Sequence, residues 1–272
     1  MAQEKDYVLG THDEEIDRLG LQNRVWRPRV LDAWRRAGFT AGQTILDVGC
    51  GPGYASMDLA EIVGPEGKVI AIDRSRRFLD ALERRRGELG LENITSVEQD
   101  LDEGALPDMK ADGAWSRWIF AFVKHPRELL TRVCSRIRPG GTIVMHEYFD
   151  YSTWRLAPRS PELEEFVDLV MQSWRASGGE PDIGLSLPAW LEETGFKLKE
   201  LRPIIEVAPR SNYVWEWPKA FIDVGLARLV ELGSITSARA RSISEAWRRS
   251  EAAPYTLVIT PGVLEIIARR PL

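Results

Sequence analysis

Between residues 42 and 150, short apolar runs alternate with amphipathic stretches. "TILDVG" is a compact apolar run bounded by turn residues, which predicts a buried strand. "YASMDLAEIVG" follows with apolar residues at helical spacing (Met57, Leu59, Ala60, Val63), and Gly64 is placed to end it. "KVIAID" predicts a second strand. "SRRFLDALERRRGELG" predicts a helix with Phe78, Leu79, Leu82 and Leu89 inward and Ser75 as its cap. "ITSVEQD" and "DGAWSRWI" predict two more strands. Pro126 opens "PRELLTRVCSRIR", and "PGG" (139–141) turns the chain into "TIVMHEYF", a fifth strand. Strands alternating with helices imply a parallel sheet with right-handed crossovers, an α/β doubly wound, Rossmann-like fold.

The rhythm changes on either side. Residues 1–41 carry a helical pattern through Leu19, Leu21, Val25, Trp26, Val30, Leu31 and Trp34. Residues 151–195 read as helical, with Ser160-Pro161 as a start and Gly195 as a stop. "FKLKELRPIIEV" alternates like a half-exposed strand, residues 217–253 read as two helices broken around Gly233, and "GVLEIIARR" reads as a last strand. The expected organisation is an N-terminal helical lid (1–41), a core (42–150), and the remainder of the sheet with an inserted helical cap (151–272).

Composition changes this picture little. Apolar residues make up 44% of the 272, enough for a substantial core, and a net charge of −5 disfavours an unassisted nucleic-acid binder. Cys50 and Cys134 form neither a disulfide framework nor a zinc spacing, so no metal is expected and a reducing compartment suits the chain. "MAQEKDYVLG" has no apolar signal region and no run is long enough to span a bilayer. The expectation is a cytoplasmic protein with no membrane partner.

The chemistry is concentrated in "ILDVGCGPG", residues 45–53. Gly49, Gly51 and Gly53 follow a strand, where a backbone without side chains lets a ligand approach closely. A dinucleotide fingerprint would place its third glycine at position 54, which is Tyr54, and Asp47 would repel a phosphate. A cationic cofactor fits better: S-adenosylmethionine carries an ammonium, a sulfonium and a ribose but no phosphate. Asp73 ends the second strand, where an acid can accept from both ribose hydroxyls, and Asp100 ends the third, placed to accept from the adenine amino group. Any one of these acids alone reads as a helix cap. The three together with the glycines favour the cofactor.

In order, "ILDVGCGPG", "IAIDRS", "VEQDLDE", "ADGAWSRWIFAFVKHP" and "RIRPGGTIVMHEY" resemble the successive motifs of the class I S-adenosylmethionine-dependent methyltransferases, over about 110 residues. The resemblance implies a seven-stranded sheet whose last strand, "GVLEIIARR", is antiparallel. It carries Asp47, Gly49, Cys50, Gly51 and Gly53 to the methionine moiety, Asp73 and Arg74 to the ribose, and Asp100 and Leu101 to the adenine. Ser116 and Arg117 would border the transferred methyl, and Tyr7 and Gln22 would lie over the cofactor. The product would be S-adenosylhomocysteine.

Methyl transfer depends largely on alignment, and a hydroxyl acceptor usually also wants a base. Candidates at the end of the fifth strand are His146, Glu147, Tyr148 and Asp150; strand alternation lets only some of them face a cleft, and His146 can equally point into a helix layer. His125 reads as a helix cap, and His12 sits in the lid segment. Six of ten tryptophans (Trp154, Trp174, Trp190, Trp215, Trp217, Trp247) fall beyond the core. They can line a pocket for a flat or apolar acceptor or seal the cap against the sheet; the second reading is preferred for most, with "WEWP" the exception. The tetrapeptide of nucleic-acid amino-methylating enzymes and a Pro-Cys nucleophile are both missing from the sequence. The resulting expectation is a methyltransferase acting on a small organic molecule at oxygen or nitrogen. An RNA or protein methyltransferase, and a cofactor-binding protein without transferase activity, are the alternatives.

Overall fold

The computed structural model describes residues 13–272. Tyr7 and His12 lie outside the described residues. The elements in chain order are α1 (Asp13–Ala37), β1 (Thr44–Val48), α2 (Tyr54–Val63), β2 (Lys68–Asp73), α3 (Arg76–Glu88), β3 (Ile94–Glu98), β4 (Ala111–Arg117), α4 (Pro126–Arg136) and β5 (Ile137–Asp150). There follow β6 (Arg155–Ala157), α5 (Pro161–Ala176), α6 (Leu187–Glu193), β7 (Lys197–Ile204), β8 (Val207–Pro209), α7 (Glu216–Glu231), α8 (Ser237–Ala252), β9 (Leu257–Ile259) and β10 (Gly262–Arg269).

Seven strands form one sheet in the order β3-β2-β1-β4-β5-β10-β7. The first five run parallel, while β10 is antiparallel to both β5 and β7. The order reverses between β1 and β4, whose carboxyl ends lie side by side with Val48 opposite Ser116. Such a reversal opens a crevice for a ligand because the helices after the two strands diverge to opposite faces. On the β7 edge, Lys197, Lys199, Arg202 and Pro203 discourage pairing with another chain. A second sheet, β6-β9-β8, is antiparallel and built from strands of three residues each. The sequence pattern had placed β6 within a helical stretch; a run of three residues is too short to show a period of two.

Local chemistry sets the element ends. Ser75 and Ser160 cap α3 and α5, accepting from Phe78 N–H and Leu163 N–H, and Gly64 ends α2. His125 stands at the N-cap of α4 but contributes no side-chain bond. Trp34 of α1 meets Trp115 of β4 edge to face at 5.2 Å, which seats α1 across the sheet. An ion-pair cluster reinforces that seat: Arg36 bonds Asp32, Glu200 and the buried Glu265. Helix α1 packs against α7, with Trp26 edge to face on Trp217 at 4.8 Å.

Candidate active site

The turn after β1 is shaped for close approach at one glycine in particular. Gly51 has φ 53°, and a Cβ placed there would meet nothing within 4 Å, so its bare face opens on space. The other two glycines serve packing: a Cβ at Gly49 would fall 2.0 Å from Ile119, and one at Gly53 would fall 2.5 Å from Leu82. Gly51 N–H donates to Asp73 Oδ2 at 2.8 Å and Ser75 N–H donates to Oδ1 at 2.9 Å. One carboxylate thus ties the β1 turn to the β2 end, with lone pairs left over for a ligand. Burial pushes its carboxyl up, against the backbone donors that pull it down.

Asp47 is 2% exposed and accepts from Ser56 Oγ at 2.6 Å. Burial pushes its carboxyl up to about 7, while Ser56 and the positive charge of Arg117 oppose the shift. Arg117 stands across the crevice at the end of β4. Nη2 donates to Asn23 Oδ1 of α1 at 3.2 Å, the guanidinium lies 5.1 Å from the Trp118 ring centre, and buried Nη1 has no partner among the described residues. Burial pulls this group down to about 10, still cationic at neutral pH.

These groups line one cleft. Its glycine-turn end holds Gln22, Asp47, Gly49, Cys50, Gly51 and Asp73. Its far end is aromatic, with Trp118, Tyr148, Tyr151, Trp174, Trp217 and Phe221 prominent. Trp118, in the left-handed region at φ 53°, is sandwiched between Tyr148 and Trp217 at 5.3 and 5.5 Å, each interplanar angle 14°. Its N–H donates to His146 O at 2.9 Å, which fixes the unusual turn. Helix α1 is tied to this end of the cleft by Tyr54, whose hydroxyl donates to Ile16 O at 3.1 Å while Arg85 covers its ring at 4.0 Å.

The four candidates on β5 separate, and Asp150 lies outside the cleft wall, accepting from Ser152 Oγ at 2.6 Å. Tyr148 reaches the cleft, but His146 and Glu147 do not, which corrects the expectation for both. His146 is fully buried, its Nε2 3.0 Å from Glu265 Oε2 and its ring between Trp26 and Trp115. Glu147 points to the opposite face and accepts from Ile119 N–H and Phe120 N–H at 2.8 and 3.1 Å. It shapes the turn after β4. Ser116 likewise faces the α4 side, beside Phe120, Leu130 and Val133, because strand alternation that aims Arg117 into the cleft aims its neighbour away. Gly53, Arg74, Asp100 and Leu101 also lie outside the cleft wall; Asp100 Oδ1 accepts from Asp102 N–H at 3.0 Å, and Leu101 is buried in the core.

Sequence reasoning missed several lining residues. Arg18 lines the cleft, its guanidinium bonded to both oxygens of Glu15 at 2.7 Å and to Gln22 at 3.0 Å. Its spacing of four from Gln22 was the available signal. "WEWP" splits: Trp217 faces the cleft, whereas Trp215 packs on Trp247 at 5.5 Å. Trp154 and Trp174 also line the cleft. Among the described residues, no group of side chains is arranged to hold a metal ion and no helix is long and apolar enough to cross a membrane.

An open glycine face with two acids beside it at the strand ends fits S-adenosylmethionine, which brings an ammonium, a sulfonium and a ribose but no phosphate. The chain matches the methyltransferase domain family over residues 39–178, just over half its length. It is 29% identical over 193 residues to the biotin biosynthesis bifunctional protein BioHC of Teredinibacter turnerae, covering 66% of this chain and 33% of that protein. It is 29% identical over 126 residues to the demethylmenaquinone methyltransferase of Oceanobacillus iheyensis, covering 46% and 52%. The chain thus spans between a third and about half of these two relatives. Among solved structures the [4+2]-cyclase SpnF shares the fold, with TM-score 0.58, 17% identity, and coverage of 90% of this chain and 81% of that one. By its family match and its sheet, the chain belongs to the class I S-adenosylmethionine-dependent methyltransferases.

Proposed function

We propose that the protein transfers the methyl group of S-adenosylmethionine to a small organic molecule, at oxygen or nitrogen. The observation that carries this reading is the continuity of the cleft. The open Gly51 face with Asp47 and Asp73 forms one end, and aromatic side chains from β4 to α7 form the other. When bound, S-adenosylmethionine supplies an electrophilic methyl on a sulfonium. This chain's residues would bind, orient and exclude water: Asp73 is proposed for the ribose hydroxyls, Asp47 for the ammonium, and Gln22 of α1 as a cover over the cofactor. Asp100 and Leu101 are proposed for the adenine from the family pattern, and Arg74 for the ribose. An aromatic enclosure beneath helices admits a metabolite more readily than a folded RNA or a protein segment. The relative named for demethylmenaquinone points the same way.

A second reading, a cofactor-binding protein without transferase activity, has its own support. No carboxylate or histidine lines the aromatic end among the described residues, and the same fold carries a cyclase. Incubating the protein with S-adenosylmethionine and a metabolite panel, and measuring S-adenosylhomocysteine release, separates the two. Release with a small molecule supports transfer. Binding without release across the panel favours the second reading, and release only with RNA or protein overturns the choice of acceptor.

A further inference from the structure

Arg117 is a half-buried cation whose Nη1 is buried and without a partner among the described residues. The charged and titratable groups around it come from three elements: Asp47 of β1, Asp58 of α2, and Tyr148 and the buried His146 of β5. Asp58 is already held by Arg27 at 3.0 Å, and Arg117 forms no ion pair among the described residues. Asp47 faces the glycine turn, where a bound ammonium would match its charge. Once that happens, Arg117 stands in an aromatic wall with its Nη1–H unmet among the described residues. A buried donor without an acceptor is costly, and a buried cation without an anion more so.

The side chains near it specify what would satisfy it. Arg117 lies over Trp118, the middle ring of the Tyr148–Trp118–Trp217 stack that forms the aromatic wall. A flat ring bearing an ionised oxygen matches both features. The only carboxylates lining the cleft among the described residues are Asp47 and Asp73, both at the glycine turn, so no carboxylate is positioned for an acceptor against the aromatic wall.

Resting on the methyltransferase reading above, we infer that Arg117 holds the acceptor as its anion, and that the acceptor is an acidic hydroxyl compound, a phenol or enol, methylated on oxygen. The acceptor's proton passes to solvent on binding. One lone pair of the oxygen accepts from Nη1–H, and another forms the new O–CH3 bond as the methyl–sulfur pair stays on sulfur. A neutral amine has a single lone pair and cannot do both. A ring carbon would need a base afterwards to remove its proton. Arg117 thereby replaces a general base by stabilising the acceptor's charged form.

The test uses the full chain saturated with S-adenosylhomocysteine, and para-nitrophenol as probe, because its anion absorbs in the visible and its neutral form does not. The bound probe should ionise about one pH unit below its free value, a tenfold shift in the equilibrium. Arg117→Lys should keep much of that shift. Arg117→Met and Arg117→Gln should abolish it while S-adenosylhomocysteine affinity changes less than about threefold, and the pair guards against one variant failing to fold. If the wild-type protein binds no probe, or binds it unshifted, the inference is overturned. It is also overturned if the neutral variants lose S-adenosylhomocysteine affinity tenfold and keep the probe's shift, because the cation then serves the cofactor's carboxylate. Failure of S-adenosylhomocysteine to bind wild-type protein would instead remove the methyltransferase reading.

Discussion

Asp73 holds the turn it faces: its Oδ2 accepts the Gly51 N–H at 2.8 Å, so the acid at the end of β2 and the bare residue after β1 are one unit. A ligand seated on Gly51 therefore meets a carboxylate whose position is fixed before binding.

Replacing Asp73 by Ala removes the acceptor for a ribose and loosens the turn together. Hydrogen bonds to a charged group contribute about 1.5–3 kcal/mol each, so S-adenosylhomocysteine affinity should fall at least tenfold by calorimetry. Unchanged affinity in a folded Asp73→Ala protein would reduce this acid to an organiser of the turn.

The glycines should fail differently. Gly51→Val places its side chain in open space where the ligand packs, so binding should be lost with a modest drop in thermal stability, arising from the positive φ. Gly53→Val drives a side chain into Leu82 and should destabilise the fold itself. Comparing melting temperature and ligand affinity for both variants checks this, and the reverse ranking would contradict it.

Asp47 gives binding a pH dependence. Its carboxyl sits near 7 in the ligand-free protein, and a cationic ammonium beside it favours the ionised form. Affinity for S-adenosylhomocysteine should therefore rise as pH increases through about 7 and then level off. Calorimetry across that range should show the slope in wild-type protein and none in Asp47→Asn. A flat wild-type profile would place the ammonium elsewhere.

Glu147 makes a stability prediction with the same sign of shift. Burial raises it from 4.5 to about 8, against the backbone donors of the β4 turn. A raised acid contributes stability fully below its unfolded value and loses it as pH rises through the folded value. The protein should lose stability between pH 4.5 and about 8, and Glu147→Gln should flatten that loss, since Gln can still accept from Ile119 and Phe120. Melting temperatures of both proteins over that range decide it; parallel curves would mean Glu147 is ionised throughout.

The sheet was legible in the sequence because five of its strands are buried on both faces and read as apolar runs, while Lys197–Ile204 alternates as an edge should. The glycine turn and its acids were legible because chemistry demands those residue types in that order. His146 and Glu147 were not resolved, because position along β5 gives alternation but not which face meets the cleft. The tryptophans divide for a related reason. Trp215 and Trp217 share one tetrapeptide, yet one meets Trp247 and the other the cleft, a difference set by how α7 lies on α1 and α8. Arg117 drew notice only through the family pattern; its unmet Nη1 depends on neighbours from α1, β1 and α2 that no local stretch reveals.

Calorimetric titration of the purified protein with S-adenosylmethionine, S-adenosylhomocysteine and NAD is the most direct measurement. Both S-adenosyl ligands should bind one per chain and raise the melting temperature by mass action, and NAD should do neither. Binding of NAD with no binding of either S-adenosyl ligand would contradict the assignment of the cleft.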